Sequence, residues 1–350
     1  MIRKYSIAAI PGDGIGLEVL PVAVDVIDTV AQRYGFMIKW TEYDWGSQYY
    51  RVNGRMMPAD GIHQLRNHDA IFFGAVGSPD IPDDATLWGL LIPIRREFQQ
   101  YVNLRPAKYI PGVRSPLANP NGIDIVIVRE NVEGEYSEVG GRFGSGTDQE
   151  MALQEAIFTR KGITRVAAYA SDLAMTRSGN LTSATKSNGI IHTMPFWDQV
   201  VSEVAGAKPG LSLRHMLVDA LAAALVSRPQ QFDVIVASNL FGDILSDLAA
   251  AVVGSVGIAA SANINPEREY PSMFEPVHGS APDIAGKGIA NPIAQTLTAV
   301  LMLEHLGEKS AAQAVAYSAH AVLANGPHTA DLGGIATTAQ VHTALLSHLK

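Results

Sequence analysis

At 350 residues, with 47% hydrophobic and 17% charged side chains, the chain is long enough for two domains and too apolar to remain disordered. A formal net charge of −8 argues against a general nucleic-acid binder, so an anionic ligand must be drawn by local clusters of Arg and Lys. The absence of cysteine excludes disulfides, thiolate metal sites and Cys nucleophiles, which leaves hard oxygen ligands as the favoured metal chemistry. The opening "MIRKYSIAAIPGDGIG" has too short an apolar stretch for a secretory segment and no small-residue cleavage site after it. No window reaches the ~18–20 apolar residues of a membrane span. The longest apolar run, "LAAAVVGSVGIAA" at 248–260, is broken by Gly and Ser, and a soluble cytoplasmic protein is expected.

In chain order, a strand at Tyr5–Ile10 runs into a Gly-rich turn at Pro11–Gly16 and a helix that ends near Gly35. "FMIKWTEYD" reads as a second strand, "HQLRNH" as a short helical turn, and "DAIFFGAVG" as a buried strand ending in glycine. This βαβαβ order predicts an α/β fold with a parallel sheet at its start. Further on, "GIDIVIVREN" is apolar and "HTMPFWDQVVSEVAG" helical; "RHMLVDALAAALVSRP" is expected to be one helix, and "FDVIVASN" a buried strand. Loops marked by Pro and Gly follow Gly257, then helices around 292–307 and 309–325. The Pro-rich stretch at 106–120 is the expected passage between domains, and Gly254–Gly257 the return.

"IPGDGIG" is not the dinucleotide fingerprint, because Gly12, Gly14 and Gly16 are spaced G-x-G-x-G and Leu17 follows. A tight strand-to-helix turn accounts for these glycines equally well. More informative are Asp243 and Asp247 in "SNLFGDILSDLAA", four residues apart on one helix face just after a buried strand. Two like charges one turn apart repel, so a positive partner is expected. It is Mg²⁺ or Mn²⁺, or else a helix dipole beside an unrelated surface Asp. Arg95, Arg105 and Arg129 each sit beside an apolar stretch, where a guanidinium needs a carboxylate partner. Structural ion pairing explains any one of them; three within 35 residues point to a small polycarboxylate ligand. Lys186 in "SATKSNG" and Tyr136 in "EGEYSEV" stand in polar, loop-like surroundings, as acid–base groups or as solvated side chains. Asp219, inside an apolar segment, needs a partner or an exposed stripe.

Taken together, "IPGDGIG", "YVNLRPAK", "DIVIVRENVEGEYS", "SATKSN", "SNLFGDILSDLAA" and "FEPVHGSAPDIAGKGIANP" resemble the β-decarboxylating dehydrogenase family, which includes isopropylmalate, isocitrate, tartrate and D-malate dehydrogenases. The likeness covers essentially the whole chain, with the motifs in the family's order. It implies an isocitrate/isopropylmalate dehydrogenase-like α/β fold, non-Rossmann, with two domains sharing a mixed sheet. Residues 1–102 with 255–350 would bind cofactor, and 103–254 would carry substrate, metal and dimer contacts. It further implies a homodimer with shared active sites, no nucleic acid and no membrane.

On matching positions, the resemblance implies that Arg95, Arg105 and Arg129 grip substrate carboxylates, with Trp88 and Leu91 lining the pocket. Asp243 and Asp247 of one subunit and Asp219 of the other would hold Mn²⁺ or Mg²⁺. Lys186, also from the partner, would be the general base, acting directly or through water and Asp219, and Tyr136 the general acid. The cofactor implied is NAD, held by Ile10, Gly12, Asn188, Glu275, His278, Gly279, Ala281, Asp283 and Asn291. The Asp283 carboxylate suits two ribose hydroxyls and repels a 2′-phosphate; NADP-using relatives place Lys and Tyr where this chain has Asp283 and Ile284. The resemblance also allows a monovalent cation such as K⁺ as a further cofactor.

"LWGLLIPIRREFQQYVNLRP" is most similar to the tartrate- and D-malate-oxidising members. Trp88 stands where isopropylmalate-oxidising members carry a Glu, and its bulk would fill the space of an isopropyl group. Oxidation and β-decarboxylation of a tartrate- or D-malate-type 2-hydroxy dicarboxylic acid is therefore expected, with 3-isopropylmalate the alternative. A Mg²⁺-dependent phosphotransferase and a non-enzymatic dicarboxylate-binding protein are the readings from other classes. The first lacks a phosphate loop with its Lys, and the second has no use for Tyr136, Lys186 and the Asp pair.

Overall fold

The computed structural model describes residues 2–349. Apolar runs Ile7–Ile10 and Ala70–Ala75 are buried, so both strands need neighbours and cover on each face. Accordingly β1 (Arg3–Gly12) pairs in parallel with β2 (Phe36–Glu42) and with β3 (Ala70–Ala75), and the helix Gly16–Tyr34 lies between β1 and β2 in the chain. The βαβαβ opening is as expected.

The remaining strands are β4 (Val102–Lys108), β5 (Asp124–Glu130), β6 (Gly140–Phe143), β7 (Met151–Gln154), β8 (Asn180–Thr185), β9 (Ser212–Leu217), β10 (Val234–Ala237), β11 (Ala260–Ile264) and β12 (Ser272–Pro276). Of the twelve strands among the described residues, ten form one sheet in the order β2-β1-β3-β12-β11-β4-β5-β10-β8-β9, while β6 and β7 form a separate exposed hairpin. The sheet is mixed: β11 runs antiparallel to both β12 and β4, and β4 antiparallel to β5. Beyond β5 the strands β10, β8 and β9 are again parallel.

Three expectations need correction. Residues 214–229 are not one helix, because Arg214–Leu217 complete β9 and the helix begins at Val218. The free backbone groups of β8 take this segment as a strand, and pairing overrides its helix propensity. The loops expected after Gly257 contain β11 and β12, short strands that are buried throughout. The Pro-rich stretch does not begin as a linker, since Pro106 lies inside β4. It sits beyond the last β4 residue paired to β11, where a missing N–H is tolerated.

Candidate active site

Side chains on a strand alternate between faces, and at the centre of the sheet one face is polar. Register places Arg129 opposite Asn103, and Asn103 opposite Asn263. Arg105, Asn131 and Ser261 lie two residues from these, so they share that face. Arg105 donates from Nε to Asn103 Oδ1 (2.6 Å) and from Nη1 to Ser246 Oγ (2.7 Å). Arg95, at the end of the helix Ile92–Glu97, donates from Nη2 to Glu275 Oε1 at 2.7 Å. Sequence reasoning missed Asn103, Asn131, Asn263 and Ser246. The signal was present in "YVNLRP", "VREN" and "SANIN", where polar residues recur every second position in otherwise apolar strands.

The helix Asn239–Val253 starts immediately after β10 and carries Asp243 and Asp247 to the same place. Glu135 accepts from the Ser238 hydroxyl (2.7 Å) and the Leu240 N–H (3.0 Å), satisfying the helix N-terminus. Gly242 faces the sheet so closely that a Cβ would come within 2.6 Å of Arg129 Cβ and Cγ. Arg129 donates to Asn239 Oδ1 from Nη2 at 2.7 Å, and from Nη1 to Asp243 Oδ1. Arg105 Nη1 lies 3.2 Å from both Asp243 Oδ1 and Asp247 Oδ1. Tyr136 donates from its hydroxyl to Asp243 Oδ2 at 3.0 Å, and its ring lies 5.5 Å from the Arg129 guanidinium carbon. The positive partners expected for the two aspartates are thus Arg105 and Arg129.

These contacts set the protonation states. Burial opposes ionisation of Asp243, but Arg129, Arg105 and the Tyr136 hydrogen bond outweigh it and hold the carboxyl below its usual range. Burial pushes Asp247 up, with Asp243 adding to the effect against Arg105. Burial and the carboxylate of Asp243 raise the Tyr136 phenol, so it keeps its proton at neutral pH. Burial, with Arg105 nearby, lowers the Arg129 guanidinium to about 10 against the pull of Asp243.

Lys186 and Asp219 form a second pair, Nζ to Oδ1 at 2.8 Å, just beyond the ends of β8 and β9. The hydrogen bond from Lys186 holds the exposed Asp219 carboxyl below its usual range. Arg129, Asn239, Lys186 and Asp219 all stand at the carboxyl ends of parallel strands, where α/β folds place ligands. No side-chain hydrogen bond joins this pair to the arginine–aspartate cluster among the described residues.

Trp88 is half-buried in the helical turn Leu87–Leu91, and Leu91 packs into an apolar cluster with Ile94 and Phe98. Arg96, which sequence reasoning passed over, links Trp88 to the Tyr136 loop. Its guanidinium carbon lies 4.9 Å from the Trp88 ring centroid, and Nη2 donates to the Tyr136 carbonyl at 2.8 Å. A cavity of about 540 Å³ lies between Trp88 and the segment Ser137–Gly141.

The Gly-rich turn is built for close approach: Gly12 has φ +71°, and a Cβ there would fall 1.9 Å from the Ala75 carbonyl oxygen. Asp13 is buried and accepts from the Ser47 N–H (2.8 Å), the Ser47 hydroxyl (2.6 Å) and the Gly77 N–H (2.9 Å). The segment after β12 is bound to this turn, with Ile15 N–H donating to the Ser280 carbonyl at 2.8 Å. Glu18 accepts from the N–H groups of Gly286 (2.6 Å) and Gly288 (3.0 Å). Gly12 and Gly14 thereby share with Pro282 the lining of a cavity of about 560 Å³, which Trp45 and Ser78 also line. His278, Gly279 and Ala281 flank Ser280 in the chain and Asp283 is exposed, whereas Ile10 is buried in the apolar cluster with Trp45 and Phe73. Asn291 donates to Asp331 at 3.0 Å. Glu275 is occupied by Arg95, and Asn188 lies in the exposed loop after β8, in the other half of the sheet.

The donor set of Asp243 and Asp247 suits a hard cation. Arg105 and Arg129 already balance the two carboxylates, so a divalent ion fits only with a third. Among the described residues of one chain no three Asp, Glu or His side chains come together to supply it. Asp219, exposed on its helix, is the available carboxylate if it comes from a second chain.

The isocitrate/isopropylmalate dehydrogenase family matches residues 6–346. A Bacillus subtilis protein named probable tartrate dehydrogenase/decarboxylase is 53% identical over 100% of this chain and 99% of its own length. The D-malate dehydrogenase [decarboxylating] of Escherichia coli is 51% identical over 99% of this chain and 98% of its own. A crystal structure of isocitrate dehydrogenase from Methylococcus capsulatus superposes with a TM-score of 0.89 at 34% identity, covering 99% of each chain. No helix among the described residues is long and apolar enough to cross a membrane. The chain belongs to the isocitrate/isopropylmalate dehydrogenase family and is a decarboxylating dehydrogenase.

Proposed function

We propose that the protein oxidises, with NAD and Mn²⁺ or Mg²⁺, the C2 hydroxyl of a tartrate- or D-malate-type hydroxy dicarboxylic acid, and then releases the β-carboxyl group as CO₂. The observation that carries this reading is the convergence of Arg105, Arg129 and the Tyr136 hydroxyl on Asp243, beside Arg95. The names of the relatives from Bacillus subtilis and Escherichia coli support the substrate class.

Arg95, Arg105 and Arg129 bind the two carboxylates and fix C2 and C3 in place. Buried Arg95 Nε has no partner among the described residues, and a substrate carboxylate would satisfy it. Lys186, directly or through water and Asp219, takes the hydroxyl proton as C2 gives up its hydride. Breaking the bond between C3 and the β-carboxyl leaves an enolate, and Tyr136, which holds its proton, delivers it to C3. When bound by Asp243, Asp247 and the third carboxylate, a divalent cation supplies the positive charge that stabilises the alkoxide and enolate. NAD, held between the Gly12 turn and the segment 278–291, supplies the hydride acceptor. Trp88, held by Arg96, occupies the room an isopropyl substituent on C3 would need.

Lys186 and Asp219 reach the cluster from a second copy in this reading, so the active unit is a homodimer. The exposed hairpin of β6 and β7 supports it, since a lone hairpin showing Phe143, Met151 and Leu153 to water is marginal alone. Residues 1–102 with 255–350 form the cofactor side and 103–254 the substrate and dimer side.

The test is NAD reduction with Mn²⁺, comparing D-malate, (+)-tartrate, meso-tartrate and 3-isopropylmalate, with and without a chelator. Turnover of D-malate or tartrate that the chelator abolishes is the expected result. Preference for 3-isopropylmalate overturns the substrate assignment, and chelator-resistant turnover overturns the metal assignment.

A further inference from the structure

Asn263, next to the last residue of β11, is the hub of a buried hydrogen-bonded chain that joins two of the three arginines. Its Oδ1 accepts from Asn103 Nδ2 at 2.9 Å and from Asn131 Nδ2 at 2.8 Å. Its Nδ2 donates to Glu275 Oε1 at 2.7 Å, the same oxygen that receives Arg95 Nη2 at 2.7 Å. Asn103 in turn accepts from Arg105 Nε at 2.6 Å. Asn263 and Asn103 are both 0% exposed, so each of these bonds lies out of water. The route Arg95–Glu275–Asn263–Asn103–Arg105 runs across β12, β11 and β4, where the antiparallel strands meet.

We propose that Asn263 is a positioning residue, which sets the two guanidinium forks at one separation and orientation so that both ends of a short dicarboxylate are gripped together. An amide is the group that can do this. It accepts from two amide donors on one side while donating to a carboxylate on the other. Without it, the Asn103 side chain loses its closest acceptor and is left with Arg105 Nε and a 3.5 Å contact to Ser261 Oγ, and Glu275 loses a bond that fixes the oxygen holding Arg95. Among the described residues the only ionisable side chain bonded to Asn263 is Glu275. The proposal rests on the reading that Arg95 and Arg105 hold substrate.

The test uses full-length Asn263→Leu and Asn263→Asp with D-malate, NAD and Mn²⁺, measuring both KM values, kcat, and calorimetric D-malate binding. In Asn263→Leu we expect the KM for D-malate to rise about tenfold or more, the loss of hydrogen bonds to charged groups, while the KM for NAD stays within about twofold. Asn263→Asp keeps the acceptor for Asn103 and Asn131 but sets a second carboxylate against Glu275, and such a pair shares a proton more readily at low pH. The ratio of variant to wild-type KM for D-malate should therefore fall as the pH is lowered through the neutral range. If Asn263→Leu does not fold, Asn263→Asp alone decides. An unchanged KM for D-malate, or equal losses toward D-malate and NAD with no pH-dependent recovery, overturns the positioning role. Wild-type protein that neither binds nor oxidises a hydroxy dicarboxylate instead overturns the functional reading, and the role falls with it.

Discussion

Replacing Gly242 by alanine tests whether the contact between the helix Asn239–Val253 and β5 is set by the site or by the helix. In an exposed helix interior, Gly→Ala stabilises by about 1 kcal/mol. Here the added Cβ would stand 2.6 Å from Arg129 Cβ and Cγ, where ordinary contact begins at 3.4 Å. That shortfall, about 0.8 Å, must be absorbed by moving the helix or Arg129, and overpacking of this kind costs about 1–3 kcal/mol. The net effect on stability is therefore between neutral and about 2 kcal/mol of destabilisation. The functional effect is larger, because Arg129 donates to Asn239 and Asp243, and Asp243 also holds Tyr136. A shift approaching 1 Å at a reacting centre lowers kcat/KM by about 10²-fold. Denaturant unfolding and D-malate turnover of Gly242→Ala measure the two effects. A variant more stable by the full helix increment, with unchanged kcat/KM, would show that the close approach does not constrain the site.

Glu130 is buried, and although the Val132 and Glu133 N–H groups favour its ionised form, burial pushes its carboxyl up to about 7. Between the unfolded value of 4.5 and about 7 the folded protein holds the extra proton. Glu130 thus favours folding fully below the unfolded value, and that contribution is lost as pH rises through about 7. The full loss is about 3 kcal/mol at roughly 1.4 kcal/mol per pH unit. Glu130→Gln should flatten this slope in denaturant unfolding at about pH 5 and about pH 8; equal slopes in both proteins would refute the assignment. Asp243→Asn should raise the Mn²⁺ concentration needed for half-maximal activity by about tenfold or more, because metal ligands must be anionic here. Wild-type metal dependence in that variant would reject Asp243 as a ligand. Asp283→Lys with Ile284→Tyr should raise kcat/KM for NADP relative to NAD, and an unaltered protein that already uses both equally would contradict the role given to Asp283.

Much of the site was legible in "SNLFGDILSDLAA" and in the three arginines, because charged residues embedded in apolar strands and helices need partners whatever the fold. The amides were not legible in the same way. Asn103 and Asn263 are 160 residues apart and gain meaning only once β11 lies beside β4. Segment 214–217 shows the same limit: its residues read as helix until the open edge of β8 claims them. Arg96 was passed over in the sequence, because its contacts are with a ring and a carbonyl brought to it from two directions.

By itself the sequence determined which chemical groups are available. It set the two aspartates on one helix face, the arginines beside apolar runs, and the alternation that makes one face of each central strand polar. It also determined the βαβαβ opening, through hydrophobic periodicity that acts over a few residues. Only the tertiary structure decided that β11 enters the sheet antiparallel between β12 and β4, and so which polar faces meet. It also decided the direction in which each carboxyl moves: against the effect of burial, two guanidinium groups hold Asp243 below its usual range, whereas burial pushes Asp247 up. The physical reason is one of range. Propensity and periodicity act within a turn or two of chain, whereas burial and charge are set by whatever the fold places within a few ångströms.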